Sequence, residues 1–382
     1  MAAIVILGGG FGGLSAAHTL LPALLKGHTL TLIDRKDWFQ MGLAKLWVLV
    51  GERRSDEGCL DLKRLRAKGV RFVNAEVTGL DVAAHRVRTT EGEHRYDHLI
   101  LASGAEVAPD LVPGLPPEAN LYDPSRVPAL ARRLEGLTSG TIAIVVCSAP
   151  YKCPPAPFEA AMLVDGALRA RGARDAVRID VAIPDENPMP VAGPVAGTKV
   201  RELLAEHGIS LRASKKIASV EPSAGEIRFA DGESLRYELL LAIPPHRAPG
   251  FVRDAGLTDA SGFVPVDPKT LCTAHENVYA VGDVSAVKLP GPGMLPKAGI
   301  MAERQAEVVA ANLLAALEGR SRDRAFDGVG HCFFEVGGKR AMLVEGEFFN
   351  EPGKRVRFSE PSAEGYASKQ RFERERLARW LG

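Results

Sequence analysis

The stretch "AAIVILGGGFGGLSAAHTLLP", Ala2 to Pro22, restricts the fold more than any other part of the chain. It reads as a short apolar strand, a glycine turn and a helix-forming run. Gly8, Gly10 and Gly13 fit the spacing G-x-G-x-x-G. In that pattern the first glycine makes a tight turn, the second lets backbone approach a pyrophosphate, and the third lets helix and strand pack closely. The helix start adds unpaired N–H donors and the positive end of a dipole. A second strand, "HTLTLID", ends at Asp34, 21 residues after Gly13, where a ribose hydroxyl ligand is expected. The prediction is a βαβ unit that opens a nucleotide-binding domain.

At 382 residues the chain is long enough for two or three domains. A hydrophobic share of 46% with 25% charged residues suits a globular protein. A net charge of +1 leaves no electrostatic footprint for nucleic acid, so no nucleic-acid partner is expected. The first residues enter a strand at once, without an export signal, and no apolar run is long enough to span a bilayer. A cytoplasmic location is the expectation. Five cysteines, Cys59, Cys147, Cys153, Cys272 and Cys332, are too few and scattered for a disulfide framework or a zinc site, and no metal is expected.

Further along, the strand "GTIAIVV" (140–146) runs into "CSAPYKCPPAP", where a second nucleotide turn belongs. No glycine is present there. Pro154, Pro155 and Pro157 carry no N–H to cradle a phosphate, and side chains on the turn block close backbone approach. A helix is predicted over 158–171, stopped by Gly172. The next strand, "RIDVAIP", ends in Pro184 rather than in an acid. Both halves of a nicotinamide site are therefore missing. Near the C-terminus, "CFFEVGGKRAMLVEGEFF" reads as two strands joined at Gly337 and Gly338.

"YDHLILASGAEVAP", with Gly104 in its turn, and "TAHENVYAVGD", with Gly282 and Asp283, resemble motifs of the two-dinucleotide-binding-domain flavoproteins. That resemblance implies FAD, with Asp283 reaching its ribityl chain. It also implies a helix from about Ala298 to before Gly319 whose N-terminus points at the flavin, with Lys297 adding positive charge. The implied fold is α/β with two Rossmann-like domains, an FAD domain interrupted by a degenerate NAD-type domain, plus a small C-terminal α+β region. The expected divisions are 1–105 and 256–325 for the FAD domain, 106–255 for the inserted domain carrying Cys153, and 326–382 for the C-terminal region carrying Cys332.

"YKCPPAPFEAA" is similar to the motif of the sulfide:quinone oxidoreductase and flavocytochrome c sulfide dehydrogenase flavoprotein family. The resemblance implies an FAD-dependent oxidation of sulfide or a related small sulfur compound. Cys153 and Cys332 would be its redox pair beside the flavin, and Glu159 its proton acceptor. Electrons would pass to a quinone, or to a cytochrome c-type partner as an alternative. A redox sensor using the same pair and an NADH:quinone-type dehydrogenase are the other readings. An activating positive neighbour for the thiolate is sought in Lys152 and the following helix. Met41 stands where the flavocytochrome branch attaches its flavin through cysteine, so FAD is expected to be non-covalent. Cys147 reads as a small core residue that ends a strand, with substitution for a third functional cysteine as its alternative. The C-terminal "YASKQRFERERLARWLG" has two readings, a basic amphipathic helix resting peripherally on a membrane or a helix docked on its own core. A homo-oligomer is left open.

Overall fold

The structure, a computed structural model, describes residues 1–351 and 355–382. Strand β1 (Ala3–Leu7) leads through α1 (Phe11–Leu24) into β2 (Thr29–Asp34), then α2 (Ala44–Leu49), β3 (Arg71–Asn74) and β4 (His98–Leu101). The middle of the chain supplies β5 (Gly140–Val146), α3 (Ala156–Ala170), β6 (Val177–Ala182), α4 (Pro194–Glu206), β7 (Ser210–Arg212) and β8 (Leu239–Ile243). Then follow β9 (Val278–Ala280), α5 (Gly299–Leu317), β10 (Val329–Glu335), β11 (Ala341–Glu347), β12 (Val356–Phe358) and α6 (Ala363–Leu381).

Two parallel sheets result. The first has the order β9-β4-β1-β2-β3, the second β7-β6-β5-β8. Their central strands are almost wholly apolar, as strands covered on both faces must be: Ile4, Ile6, Ile142 and Ile144 are completely buried. β9 pairs with β4, Val278 against Leu99, only after the second sheet is complete. The second unit is thus inserted into the first. Each unit also carries a three-stranded antiparallel meander just before its β4 or β8 strand. The α/β class with Rossmann-type sheets is the observed one.

The helix expected from Phe158 begins two residues earlier, at Ala156, because prolines are tolerated in a first turn whose N–H groups have no partner. β10, β11 and β12 form an antiparallel sheet, with Gly337 and Gly338 turning the first hairpin at positive φ. Among the described residues no helix is long and apolar enough to cross a membrane.

Helix α6 is docked on the protein's own core, the second of the two readings of the C-terminus. Phe372, Leu377, Trp380 and Leu381, the side chains that would enter a bilayer, are all buried on the protein's own core. The Trp380 ring meets Phe11 and Phe39 edge-to-face, at 5.4 and 5.9 Å between centroids. Arg53 grips Glu373 through both carboxylate oxygens, and Arg376 binds Glu303 on α5. Trp380→Ala should therefore destabilise the fold by about 3–5 kcal/mol, read as a lowered denaturation midpoint.

Candidate active site

The glycine turn after β1 is shaped as its spacing demands. A Cβ on Gly13 would lie 1.7 Å from the Gly8 carbonyl oxygen, so helix and turn touch backbone to backbone. Gly8 itself has φ +107°, and a Cβ there would lie 2.4 Å from the Ala102 oxygen. Gly10 differs, because nothing lies within 4 Å of the Cβ position. It is the N-cap of α1 and no side chain caps that helix. An open face beside uncapped N–H groups is the cradle a pyrophosphate needs. Asp34 ends β2 and accepts hydrogen bonds from the Gly9 N–H at 2.6 Å and the Lys36 N–H at 2.8 Å. Gly104, with φ +68°, again leaves open space beside the chain. These residues fit a flavin dinucleotide.

At the other end of the same sheet, the Gly282 N–H donates to Gln305 Oε1 on α5 at 2.6 Å. The Lys297 ammonium is buried; it donates to the Asp283 carbonyl at 2.6 Å and lies 3.4 Å from the Phe263 ring centre. Burial lowers its pKa to about 8. It straps the Gly282–Asp283 turn to the start of α5, whose N-terminus no side chain caps.

The turn between β5 and α3 holds Cys153 at φ +51°, a conformation unusual for any residue but glycine. The Cys153 N–H donates to the Lys297 carbonyl at 2.7 Å, and its own carbonyl accepts from the Ala156 N–H at 2.9 Å and the Tyr122 hydroxyl at 3.3 Å. With three prolines alongside, the turn keeps few amides for a phosphate. Asp185 follows Pro184 directly and lines a cavity; the sequence reading stopped one residue short of this acid. Burial raises its pKa.

That cavity, of about 320 Å3, lies between the Cys153 turn, residues 189–192, residues 293–301 and the sheet β10–β12. Its wall is mainly apolar, with Tyr151, Pro154, Met189, Met301 and Phe348, and it reaches Cys332. Side chains alternate along β10. Cys332 and Phe334 turn toward the cavity and Phe358, whereas Phe333 and Glu335 meet Phe372 and Lys369 of α6. Both cysteines are half-buried. They feel one another, since a charge on Cys153 raises the pKa of Cys332.

The surroundings oppose a thiolate. Burial and then Glu159 push the Cys153 thiol up to about 11, against the pull of Lys45 and Lys369. Burial raises Cys332 as well. This corrects the expectation for Lys152, whose ammonium donates to the Ala105 carbonyl at 3.4 Å and whose pKa burial lowers. The cations that act on Cys153 are Lys45, 3.8 Å from the Tyr122 ring centre, and Lys369 from α6. His246 stands edge-on to Tyr122 and stays neutral, lowered to about 3 by burial and by the lysines around it. Cys147 is a core residue of the second sheet, pushed up to about 12 by burial. Cys59 and Cys272 touch none of these groups through any hydrogen bond.

Glu159, in the first turn of α3, is buried. Its Oε1 accepts from the Glu335 N–H at 2.8 Å and the Lys369 ammonium at 2.9 Å. Lys369 donates also to Glu335 Oε2 at 2.8 Å, and the Trp47 indole N–H to the same oxygen at 3.0 Å. Trp47, Glu335 and Lys369 escaped the sequence reading, because none lies in a motif. Among the described residues no cluster of three or more His, Cys, Asp or Glu is arranged to hold a metal.

Comparison with known proteins adds the family. Residues 2–146 match the pyridine nucleotide-disulphide oxidoreductases, and 128–244 match the central part of the sulfide dehydrogenase [flavocytochrome c] flavoprotein chain. The mitochondrial sulfide:quinone oxidoreductase of Dictyostelium discoideum is 28% identical over 95% of this chain and 81% of its own. The sulfide-quinone reductase of Aquifex aeolicus is 26% identical over 81% of this chain and 76% of its own. The crystal structure of the sulfide:quinone oxidoreductase from Aquifex aeolicus superposes with a TM-score of 0.87 at 21% identity, covering all of this chain and 92% of the other. Over nearly its whole length the chain is similar to the sulfide:quinone oxidoreductases, and in its middle to the flavocytochrome c sulfide dehydrogenase flavoprotein chain. It is an FAD-dependent oxidoreductase.

Two outcomes follow from the geometry of this flavoprotein. Gly10→Ala should fold with an unchanged melting temperature of the flavin-free protein but bind FAD more weakly, whereas Gly13→Ala, meeting backbone at 1.7 Å, should not fold; absorbance and circular dichroism separate the two. With Cys153 near 11, its alkylation by iodoacetamide in the reduced protein should rise about tenfold per pH unit from pH 7 to 10, followed by mass spectrometry.

Proposed function

We propose that the protein oxidises hydrosulfide, or a closely related small sulfur species, through Cys153 and Cys332 and passes the electrons to a quinone. The observation that carries this reading is the placement of the two cysteines. Residues distant in sequence stand within electrostatic reach of each other, and the outer one, Cys332, forms part of the wall of an apolar cavity. The quinone as acceptor is supported by the relatives named for it.

In the oxidised protein the two cysteines form a disulfide. Hydrosulfide enters by the cavity and attacks the Cys332 sulfur, which the wall exposes. The S–S bond breaks, Cys332 becomes a persulfide and Cys153 leaves as a thiolate. The persulfide proton passes to Glu159. Gly8, Gly10, Asp34, Gly104, Gly282 and Asp283 would hold FAD non-covalently, and FAD would supply two-electron acceptor chemistry. The chain's own part is to make the Cys153 thiolate costly, since burial and Glu159 both oppose it. A thiolate born in such a pocket gives up its charge readily.

Some relatives point elsewhere: an NADH dehydrogenase-like protein of Mycobacterium tuberculosis is 28% identical over 76% of this chain and 74% of its own. The proline turn argues against that donor. Pro154, Pro155 and Pro157 offer no N–H, and those of Cys153 and Ala156 are spent within the fold.

Mixed anaerobically with the yellow protein, sulfide should bleach the flavin and NADH should not; a quinone should then restore the colour. Cys153→Ser and Cys332→Ser should each abolish bleaching by sulfide, and Glu159→Gln should slow it about 100-fold or more. Bleaching by NADH alone, or undiminished bleaching in Cys153→Ser, would overturn the reading.

A further inference from the structure

Glu159 is where the sulfur chemistry leaves its proton, and the groups behind it show where that proton goes. The Lys369 ammonium sits between two carboxylates, 2.9 Å from Glu159 Oε1 and 2.8 Å from Glu335 Oε2. All three side chains are buried. With every group ionised the cluster would carry one net negative charge in an apolar interior, a costly state that a single added proton relieves. One atom has room for that proton. Glu335 Oε1 is buried and has no hydrogen-bond partner, while Oε2 is held by both Lys369 and the Trp47 indole.

We propose that Glu335 is a proton store behind Glu159, and that Lys369 is the positioning residue which carries the proton between them. The inference rests on the functional reading above. The transfer balances within the protein. Lys369 gives a proton to Glu335 Oε2 and the amine takes the Glu159 proton in its place, after which a half-turn of the new carboxylic acid sets its O–H at the unpartnered position. Lys369 remains an ammonium, Glu159 returns to a carboxylate, and Glu335 becomes a neutral acid. Because side chains alternate along β10, the store lies on the side of that strand facing α6, opposite the face that carries Cys332.

The groups facing this cluster favour that destination. From α2 come Trp47 and Lys45, and Arg53 stacks 4.3 Å from the Trp47 ring centre while paired with Glu373. From α6 come Lys369 and Tyr366, from α3 Glu159, from β10 Cys332, and from the turn before α3 Cys153. Burial raises the pKa of Glu335 in spite of Lys369, with Glu159 pushing the same way. For Lys369 the two carboxylates outweigh burial and hold the amine charged.

The test is an infrared titration of the FAD-loaded protein without sulfide, paired with the pH profile of flavin reduction by sulfide. A protonated-carboxyl band should persist above the ordinary glutamate range of about 4.3, vanish in Glu335→Gln, and extend to still higher pH in Lys369→Met. Reduction by sulfide should slow at least about 10-fold in Lys369→Met, with the acidic limb of its profile moved to higher pH, and recover in Lys369→Arg. Melting temperatures of all three variants identify any that fail to fold, and Glu335→Asp, which keeps the acid, should keep the band. A band that titrates in the ordinary range, or that survives in Glu335→Gln, overturns the proposal. A rate that falls equally at every pH and is not restored by arginine does the same, since it leaves Lys369 a structural role only. If sulfide does not reduce the wild-type flavin, the functional reading fails, while the infrared titration still decides whether Glu335 holds a proton.

Discussion

The contact on which the site depends is the buried bridge from Lys369 to Glu159 and Glu335. Four segments meet there: α2 through Trp47, α3 through Glu159, β10 through Glu335 and α6 through Lys369. Such a bridge is poor evidence of net stability, because taking ions out of water costs about as much as their attraction returns. Its value lies in placement. Glu159 lies six residues after Cys153 and Glu335 three after Cys332, so the cluster that joins the carboxylates also ties the two segments that carry the cysteines. Removing one partner would leave an uncompensated charge in the core, at about 3–5 kcal/mol. The last helix is thus part of the site, although its sequence alone does not say so.

The same physics favours the neutral thiols. Low dielectric around Cys153 and Cys332 favours the neutral forms, and the negative neighbour Glu159 strengthens that preference for both. Here Lys45 and Lys369 moderate the penalty without cancelling it.

What could be read in the sequence was local. Gly8, Gly10, Gly13, Asp34 and the run "GTIAIVV" announce their roles through spacing and periodicity, and those elements form where expected. The motif around Cys153 was legible because prolines are the residues least able to build a phosphate turn. The remainder was not local. Lys369 reads as one more basic residue on an amphipathic helix, and only the packing of Phe372 and Trp380 against the core turns that face inward. Lys152 looked like the activating cation because it adjoins Cys153 in sequence, yet its ammonium donates to Ala105, and cations from α2 and α6 act instead. Sequence neighbours share a backbone; electrostatic neighbours share a space.

The turn at Cys153 is held in a conformation that a phosphate-binding turn could not share. A residue other than glycine at φ +51° costs about 1–3 kcal/mol, so the surroundings must hold it there. They do so through the Cys153 N–H to the Lys297 carbonyl, the Ala156 N–H to the Cys153 carbonyl and the Tyr122 hydroxyl. Each of those bonds uses a donor or a direction that a nucleotide phosphate would require. Lys297 in turn ties the Gly282–Asp283 turn to the start of α5. The strained cysteine is therefore fastened, through a single lysine, to the part of the fold that fits the flavin. A phosphate turn built at this place with glycines would have amides to offer and would lose that fastening, so the two arrangements exclude each other at the same backbone.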